Sequence, residues 1–303
     1  MLTILVILYY LIVFLGVLTN GYTFWYYFFV LKKKNSYSLI CISFISGNLF
    51  VLIPNFLWLL FEETKLYSPS LIGQIVIFGY YSGTLGRLIL SLNRLFAIHI
   101  PFKYKEIFSN KHTYFYLSIT WIIGLIMIIP LSLGDYCYFI FIDRIWSYGT
   151  TNFCIKVSYI QDFLYGVTIG SIIIFIDIIT ASILIKKNIT KLKNKINVKI
   201  NKSSNRKRRN IDINIFLRTV ISNIFLVLSL ISFHYFSLFN VGNFDYLFVT
   251  TSMFWMFHHF LDGTIVGLFN YDVKKHFLLN FKKDTKIISH VETTRNPHMI
   301  RRR

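Results

Sequence analysis

Arg87 and Arg94 stand seven positions apart in an otherwise apolar stretch, which puts both on one face of a helix, two turns apart. His258, His259 and Asp262 cluster in a second apolar stretch, and Asp177 lies in a third. Side chains of these types support three kinds of chemistry: an Arg–Asp ion pair, proton transfer between His and Asp, or ligation of a metal ion. The ion pair is the expectation here. An unpaired Arg deep in hydrocarbon costs about 2.5 kcal/mol or more on insertion scales, so Arg87 should pair with Asp262, with Asp177 the less favoured partner. His259 and Asp262 could start a metal site, but no third ligand is evident at metal-binding spacing. Interhelical hydrogen bonding is the commoner use of such groups in a membrane, so neither metal nor cofactor is expected. Nor does a nucleophile, base and acid set accompany His258, His259 and Asp262, so the chain is not read as an enzyme.

Groups like these need long apolar elements to carry them. The chain has 303 residues, 55% of them hydrophobic, and a mean hydropathy of +0.56. An α-helix needs about 20 mostly apolar residues to cross a bilayer, because each backbone amide must be satisfied within the segment. Seven blocks meet this: 2–31, 38–61, 71–98, 114–133, 162–185, 213–239 and 246–270. The first lacks the basic leader, short apolar region and small-residue cleavage pattern of a secretory signal, so it counts as a retained span. The fold class is therefore an all-α membrane protein, a seven-transmembrane helix bundle.

A net charge of +19 and the run Asn205-Arg206-Lys207-Arg208-Arg209 suggest nucleic acid. The positions of the charges argue otherwise. Of the 32 Lys and Arg, 26 fall in alternate connections, at 32–34, 103–111, 186–209 and 274–303, while the other connections hold only Lys65, Arg144 and Lys156. By the positive-inside rule the basic set is cytoplasmic, which places the N-terminus outside and the C-terminus inside. No nucleic-acid partner is expected, and the charge adds an attraction to anionic lipid of the inner leaflet. The sequons at Asn188 and Asn201 fall in the basic connection and should stay unmodified. After the seventh block, Val273, Phe277, Leu278 and Phe281 recur at helical spacing among Lys274, Lys275, Lys282 and Lys283, which predicts an amphipathic helix on the membrane surface. Residues 1–283 are expected to form the membrane domain, and the polar tail 284–303 is expected to be disordered. Cys41 reads as a small apolar residue of the second span. Cys137 and Cys154 share the long outer connection, an oxidising setting in which a bridge between them is expected; closing that loop contributes on the order of 3 kcal/mol.

The third block ends Ser91-Leu92-Asn93-Arg94-Leu95-Phe96-Ala97-Ile98-His99-Ile100-Pro101-Phe102-Lys103-Tyr104. This resembles the rhodopsin-like receptor signature at the inner end of the third helix. Asn20 in the first span, Asn48 in the second, Trp121 and Pro130 in the fourth and Asp262-Gly263 in the seventh are further landmarks in the expected order and depth. Together with Ile107-Phe108-Ser109, Trp146 between the paired cysteines, Asp177-Ile178-Ile179-Thr180, His259-Phe260-Leu261 and Phe269-Asn270, they make the chain similar to nematode serpentine chemoreceptors, most of all class x, over roughly residues 10–280. The resemblance implies a receptor for small environmental molecules that signals through a heterotrimeric G protein at the plasma membrane of a sensory neuron. It further implies that Asn93, Arg94, Pro101, Tyr104, Asp212, Asp262 and Asn270 serve coupling and activation.

Three departures stand out. The segment Ser68-Pro69-Ser70 lacks the Cys that tethers the outer loop in most rhodopsin-like receptors. Asn93 replaces the usual acid beside Arg94, leaving Asp212 as its candidate counter-ion. The seventh span loses the usual Pro and Tyr after Asp262. Aromatic residues gather in the outer halves of the spans, and Trp58, Phe78, Tyr80, Tyr81, His234, Tyr235, Phe254, Trp255 and His258 are the candidate ligand-binding set. No acid sits at outer depth in the third span, around Val76, which disfavours a cationic amine. Asn20, Asn48, Arg87, His259 and Asp262 are read as an intramembrane polar network. A ligand-gated channel or a transporter-like protein is the alternative class, though no internal repeat of the transporter kind is found.

Overall fold

The computed structural model describes residues 2–61, 69–142, 145–195, 220–239, 242–270 and 273–278. Asp212, the 205–209 basic run, Asn201, Phe281, Lys282, Lys283 and the 284–303 tail lie outside the described residues.

Among the described residues, seven helical rods build the bundle. The first is α1 (Leu2–Trp25), which ends in a π-helical turn, Tyr26–Val30; α2 (Ser36–Phe61) and α3 (Pro69–His99) follow. A short α4 (Pro101–Ile107) starts on Pro101, whose fixed φ and missing N–H suit a first helical turn. Ser109 caps α5 (Asn110–Ile128) by accepting from the His112 amide, and Pro130 falls in the tighter turn Ile129–Ser132 that ends this rod. Next come β1 (Phe139–Ile142) and β2 (Ile145–Tyr148), an antiparallel hairpin with Phe139 opposite Tyr148 and Phe141 opposite Trp146. The fifth rod combines α6 (Asn152–Val157), a π-helical stretch Ser158–Leu164 and α7 (Tyr165–Lys195). The sixth is α8 (220–234). The seventh joins α9 (Phe244–Leu247), a π-helical stretch Phe248–Met253 and α10 (Phe254–Phe269), and a short α11 (273–278) follows.

Six of these rods are long and apolar enough to cross a membrane by length and composition. The seventh, which carries His258, His259 and Asp262, is not among those six. Burial runs opposite to that of a water-soluble protein. Phe115 and Phe175 are 62% and 64% exposed, whereas Asn20, Asn48, Arg87, Asp177, Asn223 and Asp262 are all buried to 4% exposure or less. Apolar side chains outside and polar ones paired inside is the arrangement hydrocarbon demands.

Two apolar clusters fill the interior. One, at the hairpin end, gathers Tyr9, Tyr80, Tyr81, Phe139, Phe141, Trp146 and Trp255; the other, at the Arg94 end, gathers Tyr26, Tyr27, Ile40, Phe44, Leu90 and Phe108. Between them α2 and α3 approach backbone to backbone. A Cβ on Gly47 would stand 2.7 Å from the Gly83 Cα and 2.9 Å from the Gly79 carbonyl oxygen, so only glycine fits this crossing.

Two elements differ from the sequence expectation. The fifth rod begins at Asn152 rather than at 162, because Thr151 caps it by accepting from the Cys154 amide, and Asp162 faces the interior instead of marking a boundary. The hairpin was not expected at all. The Cys137–Cys154 bridge was, and it is present, with Cα atoms 4.7 Å apart.

Candidate functional site

Arg87 lies midway along α3 with its guanidinium enclosed by α8 and α10. Its Nη2 donates to Asp262 Oδ2 in an ion pair and to His258 Nε2 at 3.1 Å. Its Nη1 donates to the Ser222 carbonyl and hydroxyl and to Asn223 Oδ1, each at 3.3 Å, and the guanidinium lies 5.2 Å from the Phe44 ring centroid. Ser222 donates in turn to Asp262 Oδ1. Asn223 spends its amide on Asp177 Oδ2 at 2.7 Å, which brings in α7. On the other side of α10, His259 Nδ1 donates to Asn48 Oδ1 at 2.9 Å, Asn48 Nδ2 to Asn20 Oδ1 at 3.3 Å, and Asn20 Nδ2 to the His259 carbonyl at 3.2 Å. One polar joint thus ties α1, α2, α3, α7, α8 and α10 together.

The residue after Asp262 has a purpose in this joint. A Cβ at Gly263 would collide with the Asn20 amide, so glycine lets α1 close on α10 where the related signature has proline. The ligand atoms of His258, His259 and Asp262 lie within 4.8 Å of one another, and His258 is the third member that spacing alone did not suggest. However, the Arg87 guanidinium already fills the position between Asp262 and His258, and its charge repels a metal ion there. Asp262 and His258 are therefore partners of Arg87, while His259 turns to Asn48.

Toward one end of the joint, Arg94 adjoins Tyr37 and lies within electrostatic reach of Asp177. Asn93 is buried and donates to the Tyr104 hydroxyl at 3.2 Å, and Ser36 lies 2.8 Å from the same hydroxyl. The Asn that replaces the acid thus fastens α3 to α4 and α2. Asn270 donates to Tyr27 at 2.7 Å, while the Tyr22 hydroxyl meets His276 of α11 at 2.9 Å, which lays α11 against α1. Val273 of α11 is buried while Phe277 and Leu278 are half-exposed.

Toward the other end the hairpin plugs the bundle. Trp146 is buried; its indole donates to Asn55 Oδ1 at 3.0 Å, where the Tyr9 hydroxyl also donates at 2.7 Å, and its amide donates to the Ser252 hydroxyl at 3.1 Å. Phe139 stacks on Trp146 at 4.8 Å, and both pack edge-on to Trp255, at 5.9 and 6.1 Å. Beneath the plug lies a cavity lined by Ile77, Phe139, Asp162, Ser229, Leu230, Phe233 and Trp255, with room for about one water, some 10 Å³. Asp162 Oδ2 accepts from the Tyr148 hydroxyl and meets His234 Nε2, both at 3.1 Å. Burial, and after it the Asp162 carboxylate, hold the Tyr148 phenol well above its usual pKa, so it stays a donor.

The structure divides the expected ligand set. Trp255 lines the cavity, Tyr80 packs against Trp255 at 6.1 Å, and His234 reaches Asp162. Tyr81 meets Tyr165 beside them, and Trp58 packs on Phe141 of the hairpin. Phe78 points instead toward α5, 5.2 Å from Trp121; Phe254 meets Phe225 on the α8 side; Tyr235 is half-exposed against Phe163; and His258 belongs to the Arg87 joint. The expectation against an amine rested on the third span alone, and Asp162 of the fifth rod supplies an acid to the cavity. Ser222, Asn223, Asn55, Ser252 and Asp162 were not foreseen. A small polar residue in an apolar helix gives no signal until the helix face is known.

Seven helical rods, six of them apolar enough to span, packed around a buried polar joint define a seven-helix membrane protein with its chemistry inside the bundle. The family model described as Serpentine type 7TM GPCR chemoreceptor Srx matches residues 10–270, and the chain belongs to that family. It is thus a multi-pass chemoreceptor of the G-protein-coupled class. No curated protein matches it.

Proposed function

We propose that the chain binds a small environmental molecule in the hairpin half of the bundle and passes that event through the Arg87 joint to a heterotrimeric G protein at the Arg94 end. The observation that carries this reading is the joint itself. It lies between the aromatic cavity and Arg94, and it ties α3, α8 and α10 through one guanidinium. A ligand can shift such an equilibrium only by binding the two arrangements unequally, and a desolvated ion pair shared by three helices supplies alternatives of unequal energy.

In this reading the N-terminus and hairpin face outward and the basic connections face the cytoplasm, a placement the positive-inside rule supports. The protein acts at the plasma membrane, in a sensory neuron by family analogy, with α11 lying on the inner leaflet among basic residues. Membrane lipid, a small ligand and the G protein are its partners.

The test is G-protein activation in transfected cells challenged with a small-molecule panel, with Arg94→Ala as control. A ligand-dependent or basal signal that Arg94→Ala removes at equal surface expression supports the reading. Normal surface expression with no signal that depends on Arg94, or a ligand-gated current without G protein, overturns it.

A further inference from the structure

Asp162 belongs to neither the plug nor the joint. It is 7% exposed, opens onto the cavity, and is bordered by Phe139, Phe233 and Trp255. Its two hydrogen bonds, from Tyr148 and His234, both end on Oδ2, and among the described residues none reaches Oδ1. Tyr80, which packs on the cavity's Trp255, has a buried hydroxyl with no hydrogen-bond partner among the described residues. A Cβ on Gly166, one helical turn beyond Asp162, would abut that hydroxyl, which places Tyr80 beside the same stretch of the fifth rod. Among the described residues no Lys or Arg lines the cavity. A carboxylate with an open oxygen, a hydroxyl oxygen without a donor and a wall of aromatic faces all ask for the same occupant, a compact cation that carries N–H donors.

Resting on the reading of this cavity as the ligand site, we infer that the receptor recognises a small protonated amine, its ammonium group between Asp162 Oδ1 and the Tyr80 hydroxyl and its hydrocarbon against Trp255 and Phe233. The space beside Asp162, some 10 Å³, matches a head group the size of one water. The tail requires Phe233 or the hairpin to move outward, which links occupancy to the plug. A carboxylate ligand is repelled by Asp162, and an alcohol of the same skeleton forgoes the charge pairing, a loss of about 10- to 100-fold in affinity.

The experiment uses the full chain in lipid nanodiscs with isobutylamine, isobutanol and isobutyrate as matched probes, flanked by amines from methylamine to phenethylamine. Two readouts are taken: the shift in thermal unfolding, and nucleotide exchange on added G protein. The inference expects at least one amine to raise the unfolding temperature where its matched alcohol and acid do not. It expects Asp162→Asn to abolish that shift and Asp162→Glu to retain part of it. An equal shift with alcohol and amine, an amine shift that survives Asp162→Asn, or no shift across the amine series overturns it. If Asp162→Asn does not fold, Tyr80→Phe takes its place: a weakened amine shift supports the inference and an unchanged one overturns it. Amine binding without any exchange contradicts the receptor reading while leaving the site standing; exchange driven by alcohols or acids alone does the reverse.

Discussion

At the scale of single residues, the account rests on Arg87. Its guanidinium serves Asp262, His258, Ser222 and Asn223 at once, so removing it leaves Asp262 buried without a cation. Breaking a buried pair from one side costs about 3–5 kcal/mol, and Arg87→Met is expected to lose most surface expression. The reversed pair, Arg87→Asp with Asp262→Arg, should recover part of what each single variant loses; surface labelling that shows no recovery would break the assignment. This pair was legible in the sequence because an Arg two turns deeper than Arg94 must find an acid, and few acids lie at that depth. Ser222 and Asn223 were not legible, since Ser and Asn in an apolar helix equally serve packing. Only the rotation of α8 about its axis turns them toward Arg87. Asp162 was misplaced for a related reason: a charge next to an apolar block reads as the end of the span, whereas the helix continues three turns before it.

Among the elements, the hairpin decides what the cavity can admit. Phe139 and Phe141 face inward on β1, and Trp146 joins them from β2, so the side-chain alternation of two short strands drives aromatic rings into the bundle. The Cys137–Cys154 bridge closes the loop that carries them. Cys137→Ser with Cys154→Ser should lower stability by about 3 kcal/mol, and Trp146→Ala by about 3–5 kcal/mol through the lost indole packing. Both are read as a drop in the unfolding temperature of the detergent-solubilised protein. An unchanged midpoint for Trp146→Ala would mean that the plug does not seal the bundle. Sequence alone read the stretch as a connection with a bridge, because two apolar runs separated by Asp143-Arg144 are too short to span and too apolar to look like a turn. Long blocks such as 71–98 and 114–133 were placed to within a few residues, since hydrocarbon allows a spanning segment few alternatives to a helix.

Over the whole molecule, the account has two ends and a joint between them. At the hairpin end an aromatic cavity holds an acid; at the other, Arg94 adjoins Tyr37 within electrostatic reach of Asp177, while Asn93 and Tyr104 fasten the end of α3. The family makes the chain a chemoreceptor, and the proposed communication between the two ends runs through the polar interior. The seven blocks and the landmark residues were readable because membrane insertion writes itself into composition. The depth and facing of the rings were not, because at 18% aromatic content a ring on any face looks the same in sequence. The most direct test of communication is nucleotide exchange on a panel of heterotrimeric G proteins by the purified receptor in lipid nanodiscs, comparing wild type with Arg94→Ala and with empty discs. The account predicts exchange above empty discs for wild type, raised further by ligand, and lost in Arg94→Ala at an unchanged unfolding temperature. Wild-type exchange equal to that of empty discs, or an Arg94→Ala variant as active as wild type, would contradict it.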